Sequence, residues 1–206
     1  MKLDLGCGQN KREGFFGVDA VKTSVTDAVW DLRRTPWMIG EPIAMLVAVG
    51  DVWVGPINPA TGDVNRHKID DDSVDEVFSS HFFEHLSGPE RMPFMDEMWR
   101  VMKVGAKATI ITPFYSSSRA VQDPTHAWPP VCEASYLYFN KKWRDDNKLD
   151  HYPVVADFDF TCGYGIDGEV ALRSEDYQRY AVKHYINSVL DLQVVLTKRA
   201  AADVPE

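Results

Sequence analysis

An α/β domain, built on a mostly parallel sheet with helices on both faces, is the fold class this sequence predicts. Three observations carry the prediction. A short strand pattern, Lys2-Leu3-Asp4-Leu5, runs straight into the turn Gly6-Cys7-Gly8. Strand and helix patterns then alternate as far as Pro113 instead of segregating. The helical stretch after Ser87 places Met92, Met95, Trp99 and Met102 at spacings of three and four, the mark of one buried face. A chain of 206 residues with 45% apolar content suits one domain, 1–206, around one core.

The elements follow in order. Phe15 to Asp19 reads as a second strand, and Gln9 to Gly14 as the connection before it. Those residues leave room for about one helical turn, so the first crossover is shortened, to a truncated helix or an irregular loop. Thr23 to Leu32 holds a short helix or a third strand ending at Asp31-Leu32. Residues 38–68 read as an inserted β-hairpin, placed as a lid, with strands at Ala44–Val49 and Asp51–Val54. Gly55-Pro56, Asn58-Pro59 and Thr61-Gly62-Asp63 supply its turn signals.

Val74 to Ser80 is a strand and His81 to Leu86 a short helix. Ser87 caps the next helix, with Pro89 and Glu90 in favourable early positions, and Gly105 is placed to stop it. Ala108 to Thr112 is a strand closed by Pro113. Prolines and aromatics then predict packed loops to about residue 165, so 113–170 reads as a loop-rich region. Ser174 caps a helix through Asn187, Leu190 to Thr197 is a last, antiparallel strand, and Ala200 to Glu206 frays.

Composition excludes several functions. No apolar run approaches the roughly 20 residues of a membrane helix; the longest is Ile43 to Val49. The N-terminus lacks the shape of a signal peptide, so a cytoplasmic protein is expected. Cys7, Cys132 and Cys162 form no Cys-x-x-Cys pair or Cys/His cluster, and no metal site is expected. A net charge of −9 disfavours duplex nucleic acid. The best basic patch, Lys141-Lys142-Trp143-Arg144, reads as a solvated face.

The chemistry begins at Gly6-x-Gly8, where a ligand can approach the backbone without meeting a Cβ. The dinucleotide fingerprint fails, because Lys11 stands where a third glycine belongs. Asp19 also comes only 13 residues after Gly6 (19 − 6), earlier than a dinucleotide fold expects. A phosphate-binding Gly-Lys-Ser/Thr is missing as well. A nucleoside ligand remains, with the Asp19 carboxylate at a strand end as the natural clamp for ribose hydroxyls. The bland alternative for Asp19 is a turn cap before Ala20.

Leu3-Asp4-Leu5-Gly6-Cys7-Gly8 resembles motif I of class I S-adenosylmethionine-dependent methyltransferases, a Rossmann-like family. Phe16-Gly17-Val18-Asp19 resembles their second motif, and Asp31-Leu32 their adenine-contacting pair. The stretch Asp71 to Leu86, containing Ser79-Ser80-His81-Phe82-Phe83-Glu84-His85, is similar to the family's fourth-strand region. Glu97 to Gly105 resembles the approach to its fifth strand. The chain looks like a compact, bacterial or phage-type member of the methyltransferase-domain-11 kind.

The resemblance implies S-adenosyl-L-methionine as cofactor and assigns roles. Gly6, Cys7 and Gly8 would pass the methionine moiety, with Asp4 supporting the loop and Asp19 holding the ribose. Asp31 and the Leu32 amide would address adenine, and Ser80 and His81 would lie beside the transferred methyl. Lys11 or Arg12 could meet the cofactor carboxylate or simply be surface charges. A base helps if the acceptor is a hydroxyl or a protonated amine. His81, Glu84, His85 and His126 are candidates, with His81 and His126 favoured as catalytic. A packed, hydrogen-bonded histidine is the plainer reading of each.

The Asn/Asp-Pro-Pro-aromatic signature of amino-methylating DNA enzymes is absent, as is a Pro-Cys nucleophile. The expected activity is transfer of methyl to an O or N atom of a small molecule, sugar or modified nucleotide. The alternative is a protein that binds S-adenosylmethionine without methylating: a sensor, a cofactor-depleting protein or an assembly subunit. Oligomeric state is left open.

Overall fold

The computed structural model describes residues 1–40, 47–49, 52–54 and 66–200. Its centre is a seven-stranded sheet built from β1 (Lys2–Leu5), β2 (Phe16–Asp19), β3 (Ala28–Val29), β8 (Val74–Ser80), β9 (Met102–Pro113), β10 (Phe158–Ile166) and β11 (Val189–Lys198). The spatial order is β10-β11-β9-β8-β1-β2-β3. β3, β2, β1, β8 and β9 run parallel, and β11 lies antiparallel between β9 and β10. The chain leaves β1 on one side for β2 and β3, then crosses to the other for β8 and β9. That reversal opens a crevice at the carboxyl ends of β1 and β8, where α/β sheets bind ligands.

The first connection is an irregular loop, with no helix between β1 and β2. The Thr23–Leu32 stretch holds only β3. Inside the insertion, β4 (Met38–Gly40) pairs antiparallel with β7 (Arg66–Lys68), and β5 (Val47–Val49) pairs antiparallel with β6 (Val52–Val54). The expected tip, Asn58 to Asp63, lies outside the described residues, as does most of the expected C-terminal tail.

Phe83–His85 forms one 3₁₀ turn, and α1 (Gly88–Val101) follows. The Glu90 carboxylate accepts from the Ser87 N–H and hydroxyl at 2.8 and 2.7 Å, which closes the start of α1. Phe94, Met95, Met98 and Val101 carry its buried face, whereas Met92 and Trp99 are only partly buried. Gly105 does not stop this helix. The helix ends at Val101 and β9 begins at once, with Gly105 at φ +79° inside it. Val74 pairs with Met102 but Glu76 with Lys107, so β9 spends five residues (107 − 102) against two on β8 (76 − 74). Glycine allows the resulting bulge.

Beyond Pro113 lie α2 (Arg119–Gln122), a 3₁₀ segment Glu133–Phe139 and α3 (Lys141–Asp146). The expectation of loops to residue 165 fails at β10. Most of that strand is exposed and Gly163 and Gly165 interrupt it, so no alternation of apolar residues announced it. Pairing with β11, from Phe158 opposite Lys198 to Ile166 opposite Val189, holds it at the sheet edge. After α4 (Gly168–Ala171), α5 (Glu175–His184) starts at Ser174 as expected. It stops before Asn187, because Tyr185 turns extended. None of the described helices is long and apolar enough to cross a membrane.

Candidate active site

The Gly6–Gly8 turn is held from three directions. Gly6 has φ +70°, and a Cβ there would sit 2.5 Å from Cγ of Phe82. The turn therefore packs directly on the segment that follows β8. Gly8 has φ +52°, but an added Cβ would meet nothing within 4 Å among the described residues, so its outer side faces open space. The Gly8 N–H donates to Asp19 Oδ2 at 2.8 Å, and the Val21 N–H to Asp19 Oδ1 at 2.9 Å. Thr23 Oγ1 donates to the Gly8 carbonyl at 2.8 Å. Asp4, buried in β1, accepts the Arg12 N–H at 2.6 Å. Burial pushes the Asp4 carboxyl above the usual carboxylate range, against the pull of the Arg12 amide.

Cys7 turns its side chain into the protein, where burial raises the thiol to about 11, with Thr26 opposing. Only its backbone is left for a ligand. Lys11 is engaged with Asp27 at 2.8 Å, and the Arg12 guanidinium lies 4.6 Å from the centre of the Phe78 ring. Asp31 receives the Arg33 fork, Nε on Oδ1 at 2.8 Å and Nη2 on Oδ2 at 3.0 Å, which holds its carboxyl below the usual range. An adenine amino group would share that carboxylate with Arg33. The Leu32 side chain is in the core.

β8 brings the second half of the site alongside. Ser79 Oγ donates to the Leu5 carbonyl at 2.9 Å, fixing the end of β8 to the end of β1. Ser80, next in line, is half-buried. His81 takes φ +54°, a left-handed conformation that non-glycine residues rarely hold, and its N–H donates to the Ile111 carbonyl at 2.9 Å. Its Nδ1 lies 3.3 Å from Glu84 Oε1, and that carboxylate raises the imidazole above its usual range while burial opposes.

A cleft of about 260 Å³ opens at this point, lined among others by His81, Glu84, His85, Arg119, Asp123 and His126. Both favoured histidines, 45 residues apart (126 − 81), thus line the same cleft. Glu84 is buried while His85 is exposed, and the His85 and His126 rings meet edge-on at 4.8 Å. Sequence reading missed Arg119, which pairs with Asp191 at 2.7 Å. No local signal marks it. It reaches the cleft only because α2 folds back from the end of β9. Asp123 lies three residues before His126, in the same loop.

A family model described as a methyltransferase domain matches residues 44–110. No curated protein matches the chain. A crystal structure of a SAM-dependent methyltransferase from Archaeoglobus fulgidus superposes with a TM-score of 0.57 at 16% identity, covering 96% of this chain and 85% of that one. A structure of the Haloferax volcanii Trm112 methyltransferase activator in complex with a methyltransferase gives 0.51 at 15% identity, covering 98% and 83%. At such identities these likenesses show the fold. The family match covers residues 44–110 of the 206, and the structural likenesses extend the same methyltransferase-type fold over nearly the whole chain.

Proposed function

We propose that this methyltransferase-fold chain transfers a methyl group to an oxygen or nitrogen of an acceptor seated in the cleft at the end of β8. A small molecule, sugar or modified nucleotide is favoured over duplex DNA, since the net charge of −9 repels a phosphate backbone. One observation carries the reading. The cleft begins at His81, one residue beyond Ser80, and the turn Gly6–Gly8 packs on Phe82, the residue after it, so a nucleoside seat and an acceptor seat adjoin.

The residues present fit the cofactor. Gly8 leaves open space beside its backbone, and Asp19, although it accepts two N–H groups, keeps a lone pair on each oxygen for ribose hydroxyls. Gly6, Cys7 and Gly8 would lie along the methionine moiety, with Asp4 fixing the loop, and Asp31 with the Leu32 amide toward the adenine. When bound, S-adenosylmethionine supplies a methyl group made electrophilic by its sulfonium. The chain's work is then positioning and exclusion of water. Ser80 and His81 would border the methyl seat, and His81 and His126 are the groups placed to take a proton from the acceptor.

Calorimetric titration with S-adenosylmethionine, S-adenosylhomocysteine and NAD tests the seat. The first two should bind and NAD should not. A screen of acceptors with methyl-labelled cofactor then tests transfer. Binding of neither sulfur compound would overturn the reading. Tight binding with no acceptor methylated would favour a cofactor-binding protein without transferase activity.

A further inference from the structure

Three metal-ligating side chains from two separate segments converge in the cleft. Ligand atoms of Glu84, His85 and His126 all lie within 4.8 Å of one another. We propose that these three residues bind a divalent transition-metal ion. The proposal rests on the side chains themselves and is tested apart from methyl transfer; with the ion bound, His126 has no free nitrogen and His81 alone is left to take the acceptor's proton.

The carboxylate comes first. The Glu84 side chain is 6% exposed, yet neither oxygen has a well-formed hydrogen bond among the described residues. His81 approaches Oε1 only, leaving Oε2 unpaired. The buried Arg91 guanidinium does not supply the missing bond: its Nη1 donates to the Pro129 carbonyl at 2.7 Å, and its Nε makes no hydrogen bond among the described residues. A buried carboxylate with the His81 ring against one oxygen and nothing on the other among the described residues is poorly compensated, and a cation is the group that would complete it.

The imidazoles are set up to coordinate through the same atom. Thr125 Oγ1 donates its one proton to Asp123 Oδ1 at 2.7 Å, so toward His85 Nδ1, at 3.0 Å, it acts as acceptor. His126 Nδ1 lies 3.2 Å from the Ala120 carbonyl, which can only accept. Both rings therefore carry their proton on Nδ1 and leave the Nε2 lone pair free. Metal-ligating histidines are held by such outer partners. The two segments are also clamped beside their ligands, since the Ala127 N–H donates to the Glu84 carbonyl at 2.9 Å.

Two imidazoles and one carboxylate suit a borderline ion of the first transition row better than magnesium or calcium, and they leave positions open toward the cleft. Bonds of about 2.1 Å in a tetrahedral site place ligand atoms about 3.4 Å apart. The observed limit of 4.8 Å thus closes with side-chain movements totalling about 1.4 Å. The sequence hides this set because His126 follows His85 by 41 residues (126 − 85) with no recognisable ligand spacing.

The test uses the full chain, free of any histidine tag and stripped with EDTA, titrated with Co²⁺ while its visible d–d bands are followed. One saturable equivalent, displaced by Zn²⁺, is expected. His85→Ala and Thr125→Val should each weaken it at least tenfold, the second by removing only an outer partner. His85 is exposed, so its loss leaves the fold intact, whereas Glu84→Gln changes a buried group and is read only if circular dichroism shows it folded. His151→Ala, at an exposed histidine outside the cleft lining, should bind as the parent does. No saturable uptake, or wild-type affinity in folded His85→Ala and Thr125→Val, would overturn the proposal.

Discussion

Alanine at Gly6 and alanine at Gly8 should injure the protein in different ways, and the difference can be worked out from the turn. Both glycines have positive φ, +70° and +52°, so each alanine incurs roughly 1–2 kcal/mol of left-handed backbone strain. Only Gly6→Ala also collides. Its Cβ would lie 2.5 Å from Phe82 Cγ and 2.6 Å from Phe82 Cβ. Those atoms cannot swing aside as a flexible tip would, and the Phe82 ring packs on the buried Phe94 at 5.7 Å. Overpacking of this kind adds about 1–3 kcal/mol. Urea denaturation should therefore find Gly6→Ala less stable than Gly8→Ala by about that amount. Calorimetry with S-adenosylmethionine should show a different pattern. The Gly8 methyl projects into the space assigned to the cofactor and should weaken binding at least tenfold in a well-folded protein, about 1.4 kcal/mol or more. Unchanged affinity in folded Gly8→Ala would refute the cofactor seat. Equal stability of the two variants would refute the packing of Phe82 on Gly6.

Three further outcomes follow from the same region. Asp19→Ala should lower S-adenosylmethionine affinity at least tenfold, since one charge-assisted hydrogen bond is worth about 1.5–3 kcal/mol; near-normal affinity in a folded variant would end the ribose assignment. Cys7, with its thiol raised to about 11 and its side chain buried, should escape iodoacetamide at pH values near 8, while the exposed Cys162 should not be so protected. Peptide mapping by mass spectrometry reads both sites, and rapid labelling of native Cys7 would contradict its placement. Asp4 gives a pH signature. Its carboxyl is raised above 3.8 by burial, so the folded state holds the proton more tightly than the unfolded chain. Wild type should lose stability relative to Asp4→Asn as pH rises from 3.8 through the folded titration, and regain it on acidification. A difference between the two that does not vary with pH in that window would show that Asp4 is not burdened by burial.

Local chemistry made the first half of the sheet legible. β1 ends where glycines must begin, Asp19 ends β2, and Ser87 with Glu90 announces α1, each within a few residues of its partner. Three features escaped because their cause is distant. β10 is a strand only because β11 pairs with it, and its own exposed, glycine-broken pattern carries no period. Gly105 looks like a helix stop, but β9 pairs so early with β8 that the glycine serves a bulge instead. The convergence of His81, Glu84, His85 and His126 was half visible: the residues were singled out one by one. Their meeting depends on the Ala127 amide reaching the Glu84 carbonyl, which no spacing encodes.

The short first connection has a structural consequence of its own. A crossover helix would satisfy its amides internally, whereas an irregular loop must find acceptors elsewhere. Side chains do this work. Asp4 takes the Arg12 amide and Asp19 the Gly8 amide, while Thr23 donates to the Gly8 carbonyl. Asp27 ties the Lys11 ammonium of the loop to the Gly17 amide of β2. Asp19 thereby has two duties, fixing the turn through Gly8 and facing the open space beside it. Loop order and ribose recognition then share one carboxylate. A ligand that occupies its remaining lone pairs meets a turn already set by the same group, so the fold dispenses with the helix without leaving the glycine turn to be ordered by the ligand alone.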